Sequence, residues 1–160
     1  MKNLRTSLIL LCLFQIGVYG KTQAQSVSAR TQNKIEKEIL AVFLNNIEAG
    51  EKLDVSAIEQ STNDHLKAGF IDNGIYYNSF DGVMSQFKKG IVGLEYQKIN
   101  IASKKITVLS EKSVLLTAMG NFSAKVTDGR VLQGGFAWTF VFSRINEQWK
   151  VIHSHMSNKN

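Results

Sequence analysis

Hydrophobic positions recur with two different periods along this chain. Between residues 27 and 49, apolar side chains return at steps of three and four, the spacing of one buried helix face. From Gly93 onward, apolar and polar positions alternate with a period of two, as in strands with one buried face. The pattern predicts one long N-terminal helix followed by a meander of antiparallel strands. The apolar helix positions are Ile35, Ile39, Val42, Phe43 and Ile47.

Shorter elements are predicted between the long helix and the strands. Asp54 can cap a short second helix, and Ser79 or Asp81 can cap a third one. Residues 66–77 mix glycine and asparagine with aromatic side chains, which favours two short strands or an extended loop. The predicted long strands cover residues 94–109, 113–126, 131–145 and 148–156.

Turn residues separate these strands and set the fold class. Asp128-Gly129 is the strongest hairpin signal, and the other two connections are Ser110-Glu-Lys112 and Asn146-Glu147. Gly134-Gly135 predicts a bend or bulge, because glycine tolerates unusual backbone torsions. Helices first and strands afterwards indicate an α+β fold, in which a curved antiparallel sheet packs on the long helix and two shorter ones.

The first 24 residues have the pattern of a secretory signal peptide. Lys2 and Arg5 precede an apolar run over residues 7–18, which is too short to span a bilayer of about 30 Å. Small residues make cleavage plausible after Ala24 or after Gly20. We therefore expect a secreted or periplasmic protein of bacterial type, with no membrane contact after cleavage.

The expected mature domain, residues 25–160, has few features of a nucleic-acid-binding protein. Removing the three basic residues of the leader lowers the formal net charge from +6 to +3. The remaining lysine pairs, Lys88-Lys89 and Lys104-Lys105, are isolated and not interleaved with aromatic residues. These pairs are expected to be solvated surface charges, and no nucleic-acid partner is predicted.

The third strand carries a continuous aromatic face. Phe136, Trp138, Phe140 and Phe142 point to one side, because strand side chains alternate. Aromatic side chains of this size bury large apolar areas. This face is therefore predicted to be either the core beneath the helices or a subunit interface.

The last strand carries two titratable side chains. In a regular strand, His153 and His155 share one face with Trp149 and Val151, an arrangement that suits the wall or rim of a pocket. Imidazole titrates near neutrality, so either histidine could act as a general base or polarise a ligand. Alternatively, both could be structural histidines that hydrogen-bond to a neighbouring backbone.

Three segments of the chain resemble the nuclear-transport-factor-2-like superfamily, within its SnoaL-like branch. They are the long first helix, the Phe136-x-Trp138-Thr139 strand, and the ending Trp149-Lys-Val-Ile-His-Ser-His-Met-Ser157, which also resembles the association domain of calmodulin-dependent kinase. The resemblance implies a cystatin-like cone with a pocket between the sheet and the short helices. It also implies a homodimer formed through the outer face of the sheet.

One mechanism found in this superfamily is not supported by the residues present. The ketosteroid-isomerase branch uses a tyrosine on the first helix and a protonated aspartate in a central strand. Here the first helix offers Phe43 and no tyrosine, and residues 113–126 and 131–145 contain no acid.

Other catalytic candidates come from the segment that lines the pocket mouth in this fold. Asp64, His65 and Asp72 could act as acids or bases together with His153 or His155. A metal site built from the same residues would have no fixed-spacing motif behind it, so no metal and no cofactor are predicted.

Three kinds of function remain open at this stage. The first is an exported domain that binds a partly apolar small molecule without converting it. The second is a lyase, isomerase or hydrolase that uses the histidines and aspartates, and the third is a homo-oligomeric interaction module with a vestigial pocket. The predicted ligand contacts are Phe70, Tyr76, Tyr77, Tyr96, Met119, Trp138, His153 and His155.

Overall fold

The computed structural model describes residues 27–159, so the predicted leader over residues 1–24 lies outside the described residues. Helices and strands follow one another in the predicted order, which confirms the α+β class. In this part of the chain, no helix is long and apolar enough to cross a membrane. The elements are α1 (Ala29–Glu51), α2 (Val55–Gln60), β1 (Phe70–Asp72), β2 (Ile75–Tyr77), α3 (Phe80–Gly90), β3 (Leu94–Ser110), β4 (Ser113–Val126), β5 (Val131–Ile145) and β6 (Gln148–Lys159).

Each helix begins after a residue whose side chain accepts a backbone hydrogen bond. These N-cap residues are Ser28, Asp54 and Ser79. Of the two candidates for α3, Ser79 is the cap. Asp81 lies in the first turn, where its negative charge interacts favourably with the positive end of the helix dipole.

The sheet has six strands in the order β2-β1-β6-β5-β4-β3. Hairpins join β3 to β6 into an antiparallel meander, and β1 adds to the edge of β6 in a parallel pair. The predicted turns after β4 and β5 both form, the first over Thr127, Asp128 and Gly129 and the second over Asn146 and Glu147. Gly129 has a φ of 88°, and Asn146 and Glu147 have φ of 47° and 62°, the left-handed values that tight hairpins require.

β3 is the long edge of this sheet and is not regular. Its 17 residues pair with β4 through three register shifts. The shifts lie between Leu94 and Tyr96, between Ile101 and Ser103, and between Val108 and Ser110. Each shift bends the strand and increases its local twist, which helps the sheet to curve around the helices.

The core forms where the apolar stripe of α1 meets the inner face of the sheet. Ile35, Ile39 and Phe43 are at most 2% exposed, and the Phe43 ring lies 5.9 Å from that of Phe140. Burying side chains of this size stabilises the fold by about 1.5–3 kcal/mol each. The sheet contributes Val114, Leu116, Ala118, Phe142, Trp149 and Val151 to the same cluster.

The aromatic residues of β5 face inward, as the alternation predicts. Phe136, Trp138 and Phe142 are buried, and Phe140 packs against the core cluster. The Phe136 and Trp138 rings stack with their centroids 3.8 Å apart. Of the two alternatives left open by the sequence, this face is the core beneath the helices.

A β-bulge interrupts β6 and was not predicted. Phe142 pairs with Val151, but its neighbour Val141 pairs with His153, so Ile152 is an extra residue in β6. Both Val151 and Ile152 are buried. A bulge lets two consecutive apolar side chains leave solvent where a regular strand would expose one of them.

The bulge reverses which residues of β6 face inward. Trp149, before the bulge, is buried, whereas after it Ser154 and Met156 face inward and His153 and His155 face outward. The expectation that both histidines share a face with Trp149 is therefore wrong. It assumed an unbroken period of two along the strand.

The glycine pair in β5 has a different role from the predicted bulge. The pairing of β4 with β5 runs through Gly134 and Gly135 without a register shift. Instead, a Cβ atom on Gly134 would lie 2.4 Å from the carbonyl oxygen of Lys159. Gly134 thus permits the close approach of β6. Gly120 does the same for β3, where a Cβ would lie only 1.9 Å from the carbonyl oxygen of Asn100.

The close approach of β3 to Gly120 predicts that alanine substitutions at Gly120 and Gly135 differ in their effect on stability. Gly120→Ala should lower the free energy of unfolding by about 1–3 kcal/mol, because the added methyl group overlaps the backbone of β3. Gly135→Ala is the matched control, since its nearest neighbour would lie 3.7 Å away and the expected change is within about 0.5 kcal/mol. Urea denaturation measures both, and equal effects would contradict the steric argument.

Candidate functional site

A cavity of about 400 Å³ lies between the inner face of the sheet and the three helices. The C-terminal end of α1 contributes Asn46, Ile47 and Gly50 to it. α2 and α3 close one side, and β1 and β3–β6 form the opposite wall. The volume is within the range of small-molecule binding sites in proteins. The aromatic side chains lining it are Phe70, Phe80, Phe87, Phe122, Trp138 and Phe140.

Asp72 is the one ionisable side chain among the described residues that line this cavity. It is the last residue of β1, where parallel pairing sets it beside Met156 of β6. Burial raises the pKa of Asp72 above its ordinary value, and it is the only cause of the shift. This carboxyl group is therefore partly removed from water without a compensating charge.

A short hydrogen-bond chain fixes the wall near Asp72. The indole Nε1 of Trp138 donates to Asn158 Oδ1 at 3.1 Å. The backbone amide of Asn158 donates to Asn73 Oδ1 at 2.8 Å. These bonds join β5, the end of β6 and the turn after β1. The orientation of the Trp138 ring is thereby tied to the position of the strand that carries Asp72.

Three of the residues predicted from the sequence line the cavity. Phe70 and Asp72 enter it from β1, and Trp138 enters it from β5. Their contact with a ligand stays a prediction, but the structure brings them together on one inner surface.

The two strand histidines do not line the cavity. His153 lies on the outer side of the sheet, and its Nδ1 donates to the carbonyl oxygen of Gly69 at 2.8 Å. That bond holds the backbone just before β1, which is the structural alternative considered for this residue. His155 is exposed on the outer face, 3.4 Å from the Ser157 hydroxyl.

Asp64 and His65 also lie outside the cavity lining. Asp64 Oδ2 accepts a hydrogen bond from the backbone amide of Phe80 at 2.9 Å and forms an ion pair with Lys67 at 3.1 Å. Asp64 thereby fastens the loop to the first residue of α3. His65 is exposed, and its backbone amide donates to Asn63 Oδ1. The proposed pairing of these groups with the strand histidines is not formed.

The remaining candidates lie outside the cavity lining. Tyr76 and Met119 are 58% and 57% exposed, and Tyr96 is 48% exposed. Tyr77 is half-buried and packs against the core and Gly82 of α3. None of these four side chains lines the cavity. Within residues 27–159, no group of three or more histidine, cysteine, aspartate or glutamate side chains could hold a metal ion.

Sequence reasoning missed the inward residues of β6 after the bulge. Ser154, Met156 and Asn158 line the cavity because Ile152 shifts the alternation by one residue. The only available signal was the adjacent pair Val151-Ile152, two large apolar residues where alternation predicts one.

The fold is shared with solved structures of low sequence identity. A proposed dehydratase of the NTF2-like family from Streptomyces avermitilis is 15% identical, with a TM-score of 0.70 over 79% of this chain and 96% of that one. An NTF2-like superfamily protein from Salmonella enterica is 16% identical, with a TM-score of 0.71 over 81% and 94%. These likenesses show the fold.

A third solved structure shares the fold. It is a proposed association domain of calcium/calmodulin-dependent protein kinase II from Xanthomonas campestris. That domain is 15% identical, with a TM-score of 0.65 over 76% of this chain and 85% of that one. A comparison with curated proteins finds no match.

The sequence itself identifies the family. The model of the SnoaL-like domain matches residues 39–159, which run from the middle of α1 to the last residue of β6. This range includes every described side chain that lines the cavity. The chain therefore belongs to the SnoaL-like domain family and has the fold of the NTF2-like superfamily.

Proposed function

We propose that this domain binds a small, largely apolar molecule in the cavity and does not convert it. The observation that carries the proposal is an aromatic-walled cavity of about 400 Å³ with a single ionisable lining group, Asp72, among the described residues. Sites of this kind gain affinity from apolar burial and orientation from a few polar groups.

The placement of the other candidate acids and bases supports binding over turnover. A general acid or base must come within about 2.6–3.2 Å of the proton that it transfers, directly or through one water. His153, His155, Asp64 and His65 lie outside the cavity lining, so a ligand there meets none of them. Asp72 would have to perform every proton transfer alone.

A proton-transfer enzyme is the second candidate, and the environment of Asp72 favours it. A carboxyl group whose pKa is raised by burial in a cleft is suited to act as a general base. The fold is shared with a proposed dehydratase. Elimination or isomerisation of a bound compound that Asp72→Asn abolishes without weakening binding would favour this candidate over simple binding.

We propose further that the domain acts as an exported homodimer. The leader pattern of residues 1–24 supports export. A dimer contact through the outer face of the sheet is supported by the fact that no described helix covers this face. The face carries a cross-strand row of Lys105, Thr117, Thr139 and His155. Met119, in the adjacent row, leaves a large apolar side chain 57% exposed there.

A cavity-filling substitution should remove ligand binding without unfolding the protein. Ser154 is buried and faces the cavity from the middle of β6, so Ser154→Leu replaces a hydroxyl group by a branched isopropyl group that occupies part of the binding space. Thermal shift against a panel of small apolar compounds should show binders for the wild type and none for this variant. Ser110→Leu, at the exposed end of β3, is the matched control and should behave as the wild type. Equal binding by both variants would contradict the cavity as the binding site.

The burial of Asp72 predicts a pH-dependent cost in stability. Because its pKa is raised in the folded state, the folded protein holds this proton to a higher pH than the unfolded chain does. Stability from this group is therefore lost as the pH rises above the ordinary value of 3.8. Asp72→Asn should raise the Tm at pH 7, and the gain should vanish below pH 3.8.

Thermal denaturation between pH 3 and pH 7 tests this expectation. Glu111→Gln removes an exposed carboxylate from the β3–β4 turn and should leave the Tm unchanged at each pH. A lower Tm for Asp72→Asn at pH 7 would mean that the charged carboxylate stabilises the fold.

A charge on the outer face should disrupt the proposed dimer. Thr139→Arg introduces a bulky cation at the centre of the cross-strand row, beside His155 and Thr117. Sedimentation velocity should show a wild-type dimer and a variant monomer. Thr127→Arg, in the exposed β4–β5 turn, should remain dimeric. A wild-type monomer, or a dimer that Thr139→Arg leaves intact, would rule out this interface.

A further inference from the structure

Asp72 differs from three of the other four half-buried carboxylates among the described residues, and the fourth, Glu36, accepts a hydrogen bond from Gln32 Nε2 at 2.9 Å and lies outside the cavity lining. Glu38, Glu51 and Asp64 are also partly buried, and each lies within 4 Å of a lysine or arginine nitrogen, at 3.6 Å, 3.3 Å and 3.1 Å respectively. For Asp72 no such ion pair is formed with any residue of the described chain. Its carboxylate faces the cavity, and none of residues 27–159 supplies a cation to balance it.

The charge state of this carboxylate decides which ligands fit. A half-buried carboxylate has lost part of its hydration, which costs free energy unless a partner replaces the lost water. A bound cation would restore that lost stabilisation through a charge-assisted hydrogen bond. A neutral ligand would restore only part of it, and an anionic ligand would add repulsion.

The aromatic wall beside Asp72 favours an apolar body for the same ligand. Trp138 and Asp72 both pair with Met156, from opposite sides, so the three residues form one inward-facing row across β5, β6 and β1. Two strand spacings separate Trp138 from Asp72, about 10 Å between their backbones. Because Phe136 stacks on the Trp138 ring and Met156 lies between Trp138 and Asp72, the ammonium group is placed at Asp72 and the apolar body of the ligand against the aromatic wall.

We propose that the ligand of this cavity is an organic cation, a protonated amine carried on an apolar body, whose ammonium group pairs with Asp72. The apolar body fills the space bounded by the aromatic side chains and α3. This inference rests on the proposed binding function and names its ligand class.

A series of three probes with one body and different head groups tests the ligand class. Phenethylamine, phenethyl alcohol and phenylacetate carry a cationic, a neutral and an anionic group on the same ring. Isothermal titration calorimetry at pH 7 should show the amine binding about tenfold or more tightly than the alcohol, the difference expected for a charged hydrogen bond away from water. Phenylacetate should bind most weakly.

The variant Asp72→Asn should remove the preference for phenethylamine over phenethyl alcohol. It keeps the shape of the side chain, so the amine should lose about tenfold or more in affinity while the alcohol binds as before. Asp81→Asn is the matched control, because Asp81 is an exposed aspartate in the first turn of α3 that does not line the cavity. This control should retain the wild-type order of affinities.

The outcomes separate the ligand class from the binding function. If the alcohol or phenylacetate binds as tightly as the amine, the cation proposal is wrong and cavity binding stands. The same holds if Asp72→Asn keeps the preference for the amine. If no probe binds the wild type, neither proposal survives. An amine preference that disappears only in Asp72→Asn supports both.

Discussion

The burial of one apolar stripe of α1 in the concave face of the sheet is the constraint on which the rest of this domain depends. Ile35, Ile39 and Phe43 fill the concavity along the first two thirds of the helix. Farther along, the same helix presents Asn46 and Gly50, which are too small or too polar to fill the space. The cavity is therefore the part of the concavity that α1 leaves open, and α2 and α3 cover it. The core and the cavity are therefore both formed by the packing of α1 against the same face of the sheet.

Most of the fold could be predicted because helix and strand periods depend on neighbours close in the sequence. The strand limits, the caps at Asp54 and Ser79 and the turn at Gly129 all follow from local rules. The bulge at Ile152 does not, because it depends on tertiary packing, which buries two consecutive apolar residues of β6. The one extra residue, Ile152, reverses which side chains face inward and which face outward in the rest of β6.

The candidate site was predictable only in part, and the bulge explains the error for the two histidines but not for Tyr76, Tyr77, Tyr96 and Met119. Phe70, Asp72 and Trp138 lie on strands whose alternation is regular at those positions, and all three line the cavity. His153 and His155 follow the bulge in β6, and their side chains face away from the cavity. Asp64 could not be assigned from the sequence, because its partner is a backbone amide 16 residues later, and nothing local specifies that contact.

The irregular pairing of β3 has a consequence for how copies of this protein coexist at high concentration. An exposed edge strand is a template on which another chain can add by backbone hydrogen bonding, and a 17-residue edge would be a long one. Three register shifts divide it into short runs whose donors and acceptors do not continue in one line. Lys98, Lys104 and Lys105 add charge along the same strand. The irregularity that curves the sheet thus also protects its open side from fibril-like growth.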